Sequence, residues 1–259
     1  MIVRERRDRI VTALRANGAA SVRELADELD VSEATIRRDL LLLDRNGELT
    51  RTWGGAVLQP GATVGEDGQE AEPEGPFAQF DDVENKQNIA TAAAALVEDG
   101  SVVILDIGTV TRLIARRLRG RDVTVITSSI AVFDELRDDE TVRLVLLGGV
   151  VRRNYRSLVG SLAEQALHQV SADIVFLSCT GVRPTGHVVD NMAVEAPIKQ
   201  SMIAAADSLV LLASGAKFPG NGALRLCELA DVDVLITTAD APADTVELCR
   251  QAGGEVVVV

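Results

Sequence analysis

Apolar residues recur at helical spacing three times before residue 46. Ile10, Val11 and Leu14 fall on one face of a helix predicted over 3–16, which Asn17-Gly18 ends. Leu25, Ala26 and Leu29 line a second helix. Its start, Ser21-Val22-Arg23-Glu24, fits a capping box, in which the serine takes up helix amides and the glutamate reaches back to the cap. Ile36, Leu40 and Leu43 stripe a third helix, capped by Ser32 after the turn Asp30-Val31 and stopped by Asn46-Gly47. Residues 49–53 then read as a strand, Gly54-Gly55 as its turn and 56–58 as the return.

From residue 59 the pattern fails. Residues 59–76, QPGATVGEDGQEAEPEGP, are rich in Gly, Pro and acid. Such a stretch cannot bury enough apolar surface to offset its ordering entropy, which predicts a flexible linker. Beyond Phe77 the rhythm changes to short, continuous apolar runs at 102–105, 123–127, 142–147, 174–178, 209–213, 234–237 and 255–259. Segments of helical composition, such as 88–97 and 110–118, separate them. Runs that are apolar throughout belong to strands buried on both faces, so a mostly parallel α/β sheet covered by helices is expected. The predicted organisation is a winged helix-turn-helix at 1–58, a linker at 59–76 and an α/β effector-binding and oligomerisation domain at 77–259.

Composition and charge refine this picture. Aromatics are 3% of the 259 residues, so the cores must be built from Ala, Val, Leu and Ile. No apolar run approaches the roughly 20 residues that span a bilayer. The arginines at 4, 6, 7 and 9 are not followed by an apolar block, as a secretory leader would require, and a cytoplasmic location is expected. Cys179, Cys227 and Cys249 are isolated, with no CxxC pair, which predicts reduced thiols and neither a metal site nor a disulfide. The net charge of −13 argues against nucleic acid until its distribution is read. Residues 1–58 hold ten Arg and ten Asp plus Glu, so the head is neutral and the acidic excess lies beyond it.

In a helix-turn-helix the second helix of the pair enters the major groove. Behind the Ser32 cap, Ile36 faces inward and Arg37 and Arg38 face out. A guanidinium forks onto guanine or phosphate, and the hydroxyls of Ser21, Ser32 and Thr35 suit phosphate oxygens. Arg51 and Trp53 sit on the wing, and Asp39 is expected to orient an arginine. Glu24-Leu25-Ala26, Val31-Ser32, Thr35-Ile36-Arg37-Arg38-Asp39-Leu40 and Gly54-Gly55-Ala56 together resemble the N-terminal domain of the DeoR family of bacterial repressors. The resemblance implies that the third helix reads a double-stranded operator.

In the body, Asp106, Gly108, Thr109 and Thr111 stand where the first strand turns into a helix, an arrangement that offers free amides and hydroxyls to an anion. Thr127, Ser128 and Ser129 follow the second strand. Gly148, Gly149 and Arg152 follow the third, with Arg153 beside them. Ligands of open α/β sheets collect at carboxyl strand ends, so these three ends are expected to share a pocket, with Glu195, Lys199 and Lys217 further along. Each motif alone is also an ordinary turn or surface pair. Their order, with Lys86, Ile89-Ala90, Asp99-Gly100, Leu158-Val159-Gly160, Glu195-Ala196, Lys217-Phe218 and Ile236-Thr237, resembles the C-terminal domain of the DeoR family. That resemblance implies a fold similar to ribose-5-phosphate isomerase and a phosphorylated sugar bound as inducer.

The departures from the family pattern are Ile107 and Val110 in place of hydroxyl residues, Ser128 in place of Asn, and Ser214-Gly215-Ala216 before Lys217. They predict an atypical or less phosphorylated effector, or weak binding of a common one; compensation by backbone amides is the competing reading. His168 and His187 complete no catalytic or metal constellation. The expected function is a transcriptional regulator, a repressor that acts as a homodimer or homotetramer without cofactor. The alternative is a sugar-phosphate isomerase-like enzyme with a DNA-binding head, using Lys217 with Asp106 or Glu195 as acid and base.

Overall fold

The computed structural model describes residues 6–7, 9–11, 13–14, 19–29, 31–45, 50–52, 55–57 and 82–259. The chain forms two compact units, Met1–Glu74 and Gly75–Val259. The expected linker lies outside the described residues.

In the first unit the described residues between 6 and 14 are helical (α1). They are followed by β1 (Ala19–Ser21), α2 (Val22–Leu29), α3 (Glu33–Arg45), β2 (Thr50–Thr52) and β3 (Gly55–Val57). Ile10, Leu14, Leu25, Ile36, Leu40 and Leu43, the predicted inner faces, are buried together. Burying each such side chain contributes about 1.5–3 kcal/mol. The three strands form one antiparallel sheet in the order β1-β3-β2. The sequence pattern did not reveal β1. Ala19 and Ala20 offer no alternation, and only the return strand at Ala56 and Val57 makes them a strand.

The second unit runs α4 (Val83–Ala95), β4 (Val102–Leu105), α5 (Thr109–Leu118), β5 (Thr124–Thr127), α6 (Ile130–Leu136), β6 (Arg143–Leu146), β7 (Val150–Arg152), β8 (Ser157–Val159), α7 (Ser161–Leu167), β9 (Ala172–Ser178), β10 (Gly181–Val182), β11 (His187–Asp190), α8 (Ala196–Ala204), β12 (Ala206–Leu212), β13 (Leu224–Glu228), β14 (Val234–Thr237), α9 (Ala243–Gln251) and β15 (Glu255–Val258). The seven apolar runs become one seven-stranded sheet, β15-β14-β12-β9-β4-β5-β6. Every neighbouring pair is parallel.

The continuity of the central runs is explained by burial on both faces. Val103, Leu105, Phe176, Val210 and Leu212 pack against Ile89, Ile114 and Leu118 of α4 and α5. Ile104, Val175, Leu177 and Leu211, their alternate neighbours, pack against Ala163, Leu167, Ile198 and Met202 of α7 and α8. Two smaller antiparallel pieces were not foreseen: the hairpin β7–β8 and the sheet β10-β11-β13.

Strand order decides where the site lies. The chain moves outward from β4 to β5 and β6, then returns so that β9 pairs with the other side of β4. From there it moves outward the opposite way through β12, β14 and β15. The reversal between β4 and β9 opens a crevice at their carboxyl ends, because the connections leave in opposite directions.

Candidate DNA-reading helix and effector pocket

The head's helix caps follow directly from its sequence. The Ser21 amide donates to Glu24 Oε2 at 2.8 Å, and the Glu24 amide donates to Ser21 Oγ at 3.1 Å, closing the box at the start of α2. These bonds hold the exposed Glu24 carboxyl below its usual range. At α3, Ser32 Oγ accepts from the Thr35 amide at 3.2 Å and lies 2.8 Å from Thr35 Oγ1.

Ile36 is fully buried, whereas Arg37 and Arg38 are exposed. Arg37 is paired with Glu33 one turn earlier at 2.5 Å. Asp39, the next residue, is buried, and it orients two arginines of α1. Arg6 Nε donates to one carboxylate oxygen at 2.6 Å and Arg7 Nε to the other at 3.0 Å. Arg51 lies on β2, opposite Ala56 of β3. Trp53 lies outside the described residues.

In the body a cavity of about 200 Å³ opens at the β4/β9 crevice. Its walls come from the carboxyl ends of three strands: Ile107 and Gly108 after β4, Ser178 to Thr180 at β9, and Leu212 and Ser214 at β12. Thr109 and Val110 begin α5 there, and Lys86, Tyr155, Asp190, Glu195, Lys199 and Lys217 complete the polar lining. Ile89, Met192 and Cys179 extend the apolar wall. The first amides of α5 have no partner within their own helix, so they present partial positive charge to the cavity. Gly108 permits close strand packing at this turn, since a Cβ there would lie 3.3 Å from Ser178 Oγ.

A charge cluster lies at the pocket. Lys199 Nζ is 3.0 Å from Asp106 Oδ2 and 3.0 Å from Asp190 Oδ2, and it donates to Ser178 O at 2.8 Å. Burial pulls its pKa down, but Asp106, Asp190 and Glu195 overcome that and hold it above the ordinary lysine value. Asp106 also accepts from Ser178 Oγ at 2.7 Å, and Asp190 Oδ1 accepts from the amides of Asn191 and Met192. Glu195 pairs with Arg152, whose guanidinium lies 4.1 Å from the centre of the Tyr155 ring. Burial pushes Glu195 up to about 7, against the opposing pull of Lys199 and Arg152. Burial likewise raises the Cys179 thiol to about 11, which keeps it protonated.

Of the residues singled out in the body, Gly108, Thr109, Glu195 and Lys217 line the cavity. Asp106 lies just behind it, bonded to Lys199. Arg152 reaches the lining through Glu195. Thr111 is buried with its hydroxyl donating to Gly108 O, and Thr127 donates to Leu105 O. Ser128 accepts from the Leu158 amide, and Ser129 caps α6. Gly148 and Gly149 open the β7–β8 hairpin, where a Cβ on Gly149 would sit 2.7 Å from Val159 O.

The β5 and β6 ends thus serve helix capping and the hairpin, and β9 and β12 supply the walls instead. Ser178, Cys179, Thr180, Tyr155 and Asp190 had no motif to mark them: strand order brings the first three beside β4, the turn between β7 and β8 supplies Tyr155, and the end of β11 supplies Asp190. Lys199 and Lys86 were visible as motif residues, and the cavity gives them a common address.

Comparison with known proteins agrees over both units. The model of the DeoR-like helix-turn-helix domain matches residues 6–60, and that of the DeoR C terminal sensor domain matches residues 81–239. The chain belongs to the DeoR family. The HTH-type transcriptional regulator GlpR of Haloferax volcanii is 32% identical, covering 99% of this chain and 98% of that protein. The lactose phosphotransferase system repressor of Staphylococcus epidermidis is 30% identical, covering 90% and 91%. Among solved structures, ribose 5-phosphate isomerase A of Methanocaldococcus jannaschii aligns with a TM-score of 0.39 at 20% identity, covering 52% of this chain and 54% of that one.

The DeoR-family chain is a DNA-binding transcriptional regulator with a sensor domain. Its relatives are named as regulators, repressors and, in one case, an operon activator, and not as enzymes. Among the described residues no helix is long and apolar enough to cross a membrane.

Proposed function

We propose that α3 reads the operator through Arg37 and Arg38, with Ser32 and Thr35 on flanking phosphates and Ser21, Arg51 and Trp53 at the edges of the interface. The supporting observation is the pair of exposed guanidiniums directly beyond a capped helix start whose inner face is fully buried. A bidentate arginine–guanine contact contributes about 1–3 kcal/mol of discrimination. Arg37→Ala and Arg38→Ala should therefore each lower operator affinity by about tenfold or more and leave the circular dichroism spectrum unchanged. Unchanged binding in both would remove the reading-helix assignment.

The cavity at the β4/β9 crevice is the effector site in this proposal, and its occupant is a small polyhydroxylated anion of the sugar-phosphate class. Lysines 86, 199 and 217 and the amides opening α5 face the same cavity as Asp190 and Glu195. Cations and helix amides suit an anionic group, and carboxylates accept from sugar hydroxyls. Ile107 and Val110 add apolar wall beside them, which favours an effector with fewer polar groups on that side. Calorimetric titration against a panel of sugar phosphates tests this: tight binding of a common hexose phosphate would refute the atypical-effector reading.

The protein acts as a repressor in the cytoplasm and as at least a dimer. Two heads on two half-sites supply affinity that one head lacks, and effector binding would change their arrangement so that both half-sites are no longer engaged together. Sedimentation analysis that finds a monomer under DNA-binding conditions would overturn the oligomer.

A further inference from the structure

Asp39 is a buried acidic residue of α3, and it cannot itself serve a polyanion. Its two oxygens are instead divided between two arginines of another helix, Arg6 at 2.6 Å and Arg7 at 3.0 Å. Both bonds use Nε, which leaves the terminal nitrogens of each guanidinium off the carboxylate. Two cations against one anion give the cluster a surplus positive charge. The two arginines differ in access: the Arg6 side chain is 12% exposed and that of Arg7 31%. Among the described residues the terminal nitrogens of Arg7 have no other acceptor.

Helix geometry gives the direction in which this charge lies. Thr35 and Asp39 are four residues apart on α3, hence neighbours on one side of the helix, and side chains lean toward its N-terminus. Thr35 in turn shares a hydrogen bond with Ser32 at the helix start. The carboxylate that holds Arg7 therefore lies on the side of α3 that carries Thr35, one turn beyond the Ser32–Thr35 pair. Hydroxyls and a half-exposed guanidinium are the groups that proteins use to grip a phosphate backbone.

We propose that Arg7 is a DNA-phosphate ligand of the head and that Asp39 is the positioning residue that holds it beside α3. Arg6 is the structural member that anchors α1 to the same carboxylate. The assignment rests on α3 being the DNA-reading helix.

The test uses the full chain and fluorescence anisotropy over a salt series. The probes are a duplex selected by the wild-type protein from a random pool and a random-sequence duplex. Arg7→Gln keeps a donor for Asp39 but removes the charge. It should weaken binding to both duplexes by a similar factor, about tenfold. It should also make the salt dependence shallower by about one phosphate contact, at an unchanged melting temperature. Asp39→Asn makes the head more positive, so charge alone would tighten binding. Positioning predicts a severalfold loss on the selected duplex instead. An unchanged salt slope in Arg7→Gln, or tighter binding to both duplexes in Asp39→Asn, overturns the proposal. Failure of the α3 reading is seen separately, as selected-duplex binding that Arg38→Ala leaves intact.

Discussion

The head and the body each bury an ion cluster, and the two clusters are inverted in charge. In the head one carboxylate, Asp39, sits between two arginines; in the body one ammonium, Lys199, sits between two carboxylates. They also differ in depth. The head's arginines are partly open to solvent, whereas the side chains of Lys199, Asp106 and Asp190 are 5%, 1% and 4% exposed. The head cluster therefore leaves positive charge at the surface, where a polyanion can meet it without being enclosed. The body cluster leaves acceptors beside a cavity whose other walls carry lysines and helix amides, an arrangement for enclosing a small molecule with hydroxyl donors and an anionic group. In the function proposed above, the same three-charge motif would serve two different recognition problems by exchanging its sign and its depth.

Removing the central charge of the body cluster should have the largest effect. Lys199→Met fills a similar volume but leaves the buried carboxylates of Asp106 and Asp190 without their shared cation, and breaking a buried pair costs about 3–5 kcal/mol. Denaturant unfolding should show this loss in the body's transition; a loss under 1 kcal/mol, on the order of a surface pair, would mean that the cluster is solvated.

Titration sharpens the comparison next. Glu195 titrates near 7 when folded because it is buried, and in the ordinary carboxylate range when unfolded. The folded body thus holds this proton more tightly. Its stabilising contribution is present below the unfolded pKa and is lost as pH rises through about 7. The change is on the order of 1–3 kcal/mol between about pH 4 and pH 8. Denaturant midpoints across that window should fall in the wild type more steeply than in Glu195→Gln, and equal slopes would count against the burial argument.

The smallest expected effect lies in the head. Ser21→Ala removes one half of the capping box at α2 and should cost about 1 kcal/mol of head stability, read by thermal melting of the helical signal. No change would show that pairing of β1 with β3 fixes the helix start without the cap.

The contrast between the units also explains what the sequence made visible. In the head, local rules suffice for the helices, though not for β1: Ser21 and Ser32 cap helices within four residues of their own position, and Ile36, Leu40 and Leu43 repeat at helical spacing. In the body, every strand of the main sheet was legible from a run such as 102–105; for the central strands, burial on both faces writes itself into composition, while the edge strands β6 and β15 are apolar but partly exposed. The pocket was legible only in part. Thr109 and Lys217 lie in motifs, whereas Ser178 reaches the site through the pairing of β9 with β4 and Asp190 through the end of β11, contacts between distant segments that no local pattern encodes. The same gap explains why Thr127 and Ser129 read as ligand groups: a hydroxyl that caps a helix and one that binds an anion have the same local signature.

The central claim is that a small anion in the body's cavity controls DNA binding by the head. The most direct test is the affinity of the full chain for its selected duplex, measured by anisotropy while a panel of sugar phosphates is titrated in, for the wild type and for Lys217→Ala. The account predicts that at least one sugar phosphate lowers the wild-type affinity. It also predicts that Lys217→Ala, with equal affinity for the bare duplex, requires about tenfold or more of that compound for the same release. Release at the same concentration in both proteins, or no release by any of the panel, would contradict it.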